Sequence, residues 1–185
     1  MNTASIELVA VDDAATRMAA RALITEYLRW IGASAAQSYG LSFDIDAMVE
    51  SDLDDRSKFY PPHGRFYVVR HAARYIGVGC LKRLAPGIAE VQRMYVQPHV
   101  RGVGAGRRLV ERLIADARAI GYRVIKLESL KFLAAAHALY KSVGFVEIDP
   151  YAENSMQDYQ CAETMATYRA SAVFMELRLD AMRSA

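Results

Sequence analysis

Apolar and polar positions in this chain change period several times, and the changes lay out a series of elements. Residues 5–11 alternate as a first strand. Asp12 and Asp13 stand where a helix cap belongs. Met18, Ala22, Leu23, Tyr27 and Trp30 then recur at helical spacing, which predicts a helix to about Gly32. Residues 33–43 read as a loop, and Asp44 as the cap of a weaker helix through about Asp54. Pro61-Pro62-His63-Gly64 is a turn signal. Residues 65–71 and 74–84 are strands separated only by Ala72 and Ala73, so they predict a hairpin, and residues 88–96 continue it as a meander. Gly77 and Gly79 within the second of these strands mark a bulge or a close neighbour. The clearest helix covers 104–120, with an apolar stripe of Leu109, Leu113, Ala117 and Ile120 and a closing Gly121. A strand over 122–128, a helix over 132–143, a strand over 145–148 and a last strand over 171–179 complete the series.

A strand–helix–strand run implies a locally parallel pairing inside an otherwise antiparallel meander. The expected fold is therefore α/β (α+β), with a mixed, mostly antiparallel central sheet of about seven strands flanked by about four helices. Residues 150–170, with Tyr151, Tyr159 and Tyr168, form a long polar connection. Such a connection is functional or carries its own helix. No repeat or linker divides the 185 residues, so a single domain over 1–185 is expected.

Composition narrows the classes of function. The chain is 53% hydrophobic and 24% charged, with a net charge of +2, which argues against nucleic acid or a membrane surface as partner. No apolar run approaches the ~20 residues a bilayer span needs. The N-terminus lacks a charged-then-apolar export pattern, and Cys80 and Cys161 read as reduced thiols, so the cytoplasm is the expected location. Glu50, Asp52, Asp54 and Asp55 make the second helix acidic at its end. This is a solvated face or an attraction for a cation. Tyr27 and Trp30 are core aromatics or the lining of a pocket. His63, His71, His99 and His137 show no ligand spacing, and no metal is expected.

The densest chemistry lies where the third meander strand ends. Arg101-Gly102-Val103-Gly104-Ala105-Gly106 runs straight into the long helix. Glycines let an anion approach backbone amides closely, and the first amides of a helix are unpaired and partly positive. Arg107 and Arg108 in the first turn are unfavourable against the dipole unless an anion joins them. The junction therefore predicts a phosphate site. It is not a dinucleotide fingerprint, because the third glycine would fall on Arg107 or Leu109, and no Gly-Lys-Ser/Thr triplet makes a P-loop.

Residues 101–106 resemble the pyrophosphate loop of the GNAT acetyltransferase superfamily, with its pattern [QR]-x-x-G-x-[GA]. Leu139-Tyr140-Lys141-Ser142-Val143-Gly144-Phe145 is similar to the "LY…GF" segment of that family, and residues 90–96 resemble its cofactor strand. The likeness spans about residues 5–179. It implies acetyl-CoA as co-substrate. The implied contacts are Met94, Tyr95 and Val96 for the pantetheine arm, and Arg101, Gly102, Val103, Gly104, Ala105, Gly106 and Arg107 for the pyrophosphate. Where many members carry Asn early in the last helix, this chain has Leu133, so no Asn contact is carried over.

Acetyl transfer to an amine needs a base, an oxyanion donor and a proton for the leaving thiolate. Glu90 is the expected base. Strand alternation would put it on one face with Gln92 and Met94, unless a bulge intervenes, and apolar neighbours would raise its pKa. Its alternative is a surface or salt-bridging carboxylate. Tyr140 is the expected acid, Ser129 a weaker polar contact, and a backbone amide near Val96 the oxyanion donor. No Cys-His pair supports an acyl-cysteine route. The expected activity is N-acetyl transfer from acetyl-CoA to a primary amine by direct transfer in a ternary complex. The acceptor is a small-molecule or protein amine, and a homodimer is left open. The alternatives are a non-catalytic acyl-CoA sensor and a regulatory protein that docks a partner through residues 150–170.

Overall fold

The computed structural model describes residues 5–151, 156 and 162–179. Seven strands form one sheet: β1 Glu7–Ala10, β2 Arg65–His71, β3 Arg74–Ala85, β4 Ile88–Val96, β5 Val124–Leu130, β6 Val146–Ile148 and β7 Ala172–Arg178. Their order is β1-β2-β3-β4-β5-β7-β6. Every neighbouring pair is antiparallel except β4 and β5. The mixed, mostly antiparallel sheet read from the sequence is what the chain forms.

Six α-helices are described, more than the four expected: α1 Ala14–Tyr39, α2 Ile45–Asp54, α3 Arg56–Phe59, α4 Ala105–Ile120, α5 Ala134–Ser142 and α6 Ala162–Ser171. The extra two are the short α3 and α6, which lies within the long polar connection. A 3-10 turn, Pro98–Val100, joins β4 to the glycine loop. Tyr159 and Cys161 fall outside the described residues.

Helix α1 departs most from its sequence pattern. Asp13 caps it by accepting from the Thr16 amide at 2.7 Å. It passes through Gly32 and stops only at Gly40, which takes φ 67°. Gly32 is useful inside the helix, because a Cβ there would sit 3.2 Å from Ile45 Cδ1 of α2. The buried face is also rotated from the one expected. Ala20, Leu23, Ile24, Leu28, Ile31 and Ala35 are buried, while Met18 is 73% exposed.

The two sheet faces carry separate cores. Residues of α1, α2 and α6 pack with Phe66, Val68, Val78, Cys80, Tyr95 and Leu130 on one face. Residues of α4 and α5 pack with Tyr67, Val69, Leu81, Ala89, Val91, Ile125 and Leu127 on the other. Successive strand residues point to opposite faces. Glu90, between Ala89 and Val91, therefore points to the α1/α2 face, as does Glu128, between Leu127 and Ser129.

Candidate active site

The sheet opens between β4 and β5. Their parallel pairing covers only Ile88, Ala89 and Glu90 against Val124, Ile125 and Lys126. Beyond Glu90 the strands part, and a cleft fills the gap. Its walls are β4 from Gln92 to Val96, β5 from Leu127 to Ser129, the glycine loop, and Leu139 and Tyr140 of α5. The freed edge of β4 can accept an extended ligand as an added strand.

A bulge shapes this edge. Val78 pairs with Tyr95 and Cys80 with Gln92, so Gly79 alone on β3 faces both Arg93 and Met94 on β4. Arg93 takes φ 54° there. A Cβ on Gly79 would lie 2.8 Å from both Met94 Sδ and Leu109 Cδ2, so the bulge needs glycine opposite it. The consequence is a phase change along β4. Met94 joins the α4 face, whereas Arg93 crosses the α1/α2 face to the buried Asp52 of α2. The single face expected for Glu90, Gln92 and Met94 does not exist.

At the outer end of the cleft, Gly102 and Gly104 take φ 90° and 87°. A β-carbon at either would meet nothing within 4 Å, so the left-handed backbone is what calls for glycine. Gly104 caps α4 with no side-chain hydrogen bond, and no acidic residue sits in the first turn. The amides at this N-terminus are ready for an anion. Met94, Tyr95, Val96, Arg101, Gly102, Gly104, Ala105, Gly106 and Arg107 all line the cleft. Val103 is the exception, at 44% exposed. Arg101 lies over the Trp30 ring at 5.6 Å and donates from Nε to the Val96 carbonyl at 3.1 Å. Arg107 donates to Ser142 Oγ at 2.8 Å, joining the loop to α5. Trp30 and Tyr27 also line the cleft, so these α1 aromatics serve a pocket as well as packing.

A second pocket lies between α1, α2 and the sheet. It shares Tyr27, Gln92, Arg93, Glu128 and Ser129 with the cleft. The chemistry of the site converges at this junction. Glu128 is lifted to about 8, first by burial and then by the Glu90 charge, against a hydrogen bond from Tyr168. Its Oε2 is buried and has no hydrogen-bond partner.

Glu90 lies elsewhere than expected. It is 0% exposed and lines neither cavity. Its Oε1 accepts from the Tyr151 hydroxyl at 2.8 Å and its Oε2 from Gln92 Nε2 at 2.6 Å, with Lys82 Nζ 3.7 Å away. Tyr140 lines the cleft, its ring tilted against Phe145 with centroids 5.8 Å apart, and burial raises its hydroxyl above the ordinary value. Ser129 meets His137 Nε2 at 3.1 Å.

The acidic run at the end of α2 divides between core and surface. Asp52 is fully buried between Arg93 and Lys58, not part of a solvated acidic face. Glu50, Asp54 and Asp55 are the surface members of that run: the first two pair with Arg21 and Arg17, and Asp55 accepts from the Ser57 amide. His63 lines neither cavity, and its carbonyl accepts from the Tyr122 hydroxyl, two residues before β5.

The family model described as "Acetyltransferase (GNAT) family" matches residues 33–145. The chain belongs to the GNAT acetyltransferase family. An uncharacterised N-acetyltransferase of Schizosaccharomyces pombe is 32% identical over 71% of this chain and 77% of its own length. In fold, the chain is similar to a GNAT acetyltransferase from Staphylococcus aureus, at TM-score 0.70 and 15% identity, covering 95% of this chain and 100% of that one. It is also similar to PaiA N-acetyltransferase from Thermoplasma acidophilum, solved in complex with coenzyme A. That match has TM-score 0.65 and 17% identity, covering 95% of this chain and 99% of the other. As a member of the family the chain is an acetyltransferase. Among its described residues no helix is long and apolar enough to cross a membrane.

Proposed function

We propose that the chain is an acetyl-CoA-dependent N-acetyltransferase, one unit over residues 1–185, that passes an acetyl group directly to a primary amine in a ternary complex. The carrying observation is that two cavities share one wall, which includes Gln92, Arg93, Glu128 and Ser129. The cleft fits a coenzyme A thioester. Its mouth is an uncapped helix N-terminus with two left-handed glycines, and its side is a strand edge without a partner strand. Acetyl-CoA would supply an activated acyl group at the inner end. The cytoplasm belongs to the same proposal, supported by the free thiol of Cys80.

We assign proton removal to Glu128. A carboxylate near 8 is matched to an ammonium at neutral pH, and its Oε2 has hydrogen-bonding capacity to spare. Glu90 acts through it, because its charge helps hold Glu128 high. Tyr140 keeps its proton at neutral pH and is available to give it to the departing thiolate. A backbone amide near Val96 is the donor assigned to the carbonyl oxygen. Cys80 is buried, its thiol pushed up by burial, and it lines neither cavity, which favours direct transfer.

Thiol release from acetyl-CoA with a panel of amines, followed by the mass of the acetylated product, tests the proposal. Amine-dependent release supports it. Tight cofactor binding with no turnover on any amine would leave a sensor instead.

A further inference from the structure

The inner pocket specifies the amine more closely than "primary amine", and this step rests on the reading above. Two buried acceptor atoms without partners lie in the wall the cavities share: Glu128 Oε2 and Gln92 Oε1. Unpaired buried acceptors are costly, and a pair lining one cavity calls for a ligand that donates twice. The Gln92 amide is not free to turn. Its Nε2 is committed to Glu90 Oε2 at 2.6 Å, which presents the carbonyl oxygen instead of the NH₂. An ammonium has three donors and no acceptor, so it matches this wall once Glu128 has given up the proton it holds to about 8.

Most of the remaining lining is apolar, with Tyr27, Ser129 and Tyr168 as its other polar-tipped members. Leu28 and Ile31 of α1, Phe43, Ile45 and Met48 on the α2 side, and Leu133 before α5 enclose the pocket. The cation in the wall, Arg93, already has its guanidinium on Asp52 through Nε and Nη2. Apart from Glu128, no carboxylate lines this pocket among the described residues. A second positive charge on the acceptor would therefore be buried beside Arg93 without a counter-ion.

The geometry points to an acceptor with one ammonium on an apolar frame, an alkyl or arylalkyl amine, gripped by Glu128 and by Gln92 as oriented by Glu90. Polyamines and other polycations are excluded. Glu90 and Gln92 thus form a specificity relay: the first orients the second, and the second takes one N–H of the acceptor.

Binding and turnover are measured separately. Calorimetry with coenzyme A present follows phenethylamine, isoamylamine and spermidine on the full chain, and thiol release follows the same amines with acetyl-CoA. The two monoamines should bind and spermidine should not. Gln92→Leu should weaken monoamine binding about tenfold or more, the scale of a lost hydrogen bond to a charged group, with coenzyme A affinity unchanged. Ile45→Glu, at a half-buried first-turn position of α2, should shift preference toward spermidine. Spermidine preferred by the native chain, or Gln92→Leu binding monoamines as tightly as the native chain, would overturn the inference while leaving acetyl transfer standing. Monoamines that bind but are never acetylated would instead overturn the proposed function and keep the pocket assignment. An absence of both binding and turnover for the monoamines would overturn both.

Discussion

Glu90 and Glu128 face the same side of the sheet across the point where it opens. Glu90 pairs with Lys126 in the last rung between β4 and β5, and Glu128 is the next residue of β5 on that face. One carboxylate is sealed by Tyr151 and Gln92, and the other keeps an unpaired oxygen at the junction of two cavities. Their nearness helps hold Glu128 protonated up to about 8. The proposed division of labour rests on this: the sealed one supplies field and orientation, the open one handles the proton.

Stability should carry the signature of this arrangement. An ordinary glutamate ionises near 4.5, while Glu128 in the folded chain holds its proton to about 8. Between those values the folded state binds the extra proton, so stability falls as pH rises through the window. Glu128→Gln removes that dependence. Its melting temperature should gain on the native chain as pH rises from about 4 to about 9. Parallel melting curves across that range would contradict the assignment.

Asp52 anchors the bulge from the side of α2. It is fully buried between Arg93 and Lys58, and removing it strands a buried guanidinium. Asp52→Ala should cost about 3–5 kcal/mol in denaturant unfolding. A loss below about 1 kcal/mol, the range of an exposed pair, would mean the pair is not buried in solution.

The glycine loop should separate binding from folding. Gly104 sits at φ 87° with open space around it. Gly104→Glu should cost only about 1–2 kcal/mol of backbone strain, yet its carboxylate would sit at the helix N-terminus assigned to pyrophosphate. Coenzyme A affinity should be lost by calorimetry, with the circular dichroism spectrum kept. Unchanged affinity would remove the phosphate-loop assignment.

Tyr140→Phe should lower kcat by about 10²-fold or more, the usual scale of a lost general acid, with little change in cofactor affinity. Acyl thioesters of more acidic thiols, which leave without help, should recover most of the loss. An equal deficit with every leaving group would make Tyr140 a packing residue against Phe145.

Much of the fold was legible because its signals are local. The hairpin turn at Ala72 and Ala73, the strand Ile88–Val96 and the helix ending at Gly121 follow from alternation, spacing and turn residues. So does the loop from Arg101 to Gly106. The failures are non-local. The end of α1 was misread because Gly32 serves a contact with Ile45 that only packing reveals. The face of Glu90 was misjudged relative to Met94 because the bulge depends on Gly79 in the neighbouring strand. Glu128 was missed because Lys126-Leu127-Glu128-Ser129 resembles the solvent-facing half of a strand. α1 and α6 cover it, placing Tyr27 and Tyr168 around the carboxylate. The available signal was its position on β5: once β4 is assigned to a splayed cofactor strand, a carboxylate on β5 must be asked about.

The most direct test of the account is kcat against pH for the native chain, Glu90→Gln and Glu128→Gln at saturating acetyl-CoA and amine. The native profile should rise to a plateau with an apparent pKa of about 8. Glu90→Gln should keep turning over with that limb moved to lower pH, because the charge that helped raise Glu128 is gone. Glu128→Gln should lose about 10²–10⁴-fold together with the limb. A Glu128→Gln enzyme with the native profile, beside a Glu90→Gln enzyme that has lost turnover, would return the base to Glu90 and contradict the account.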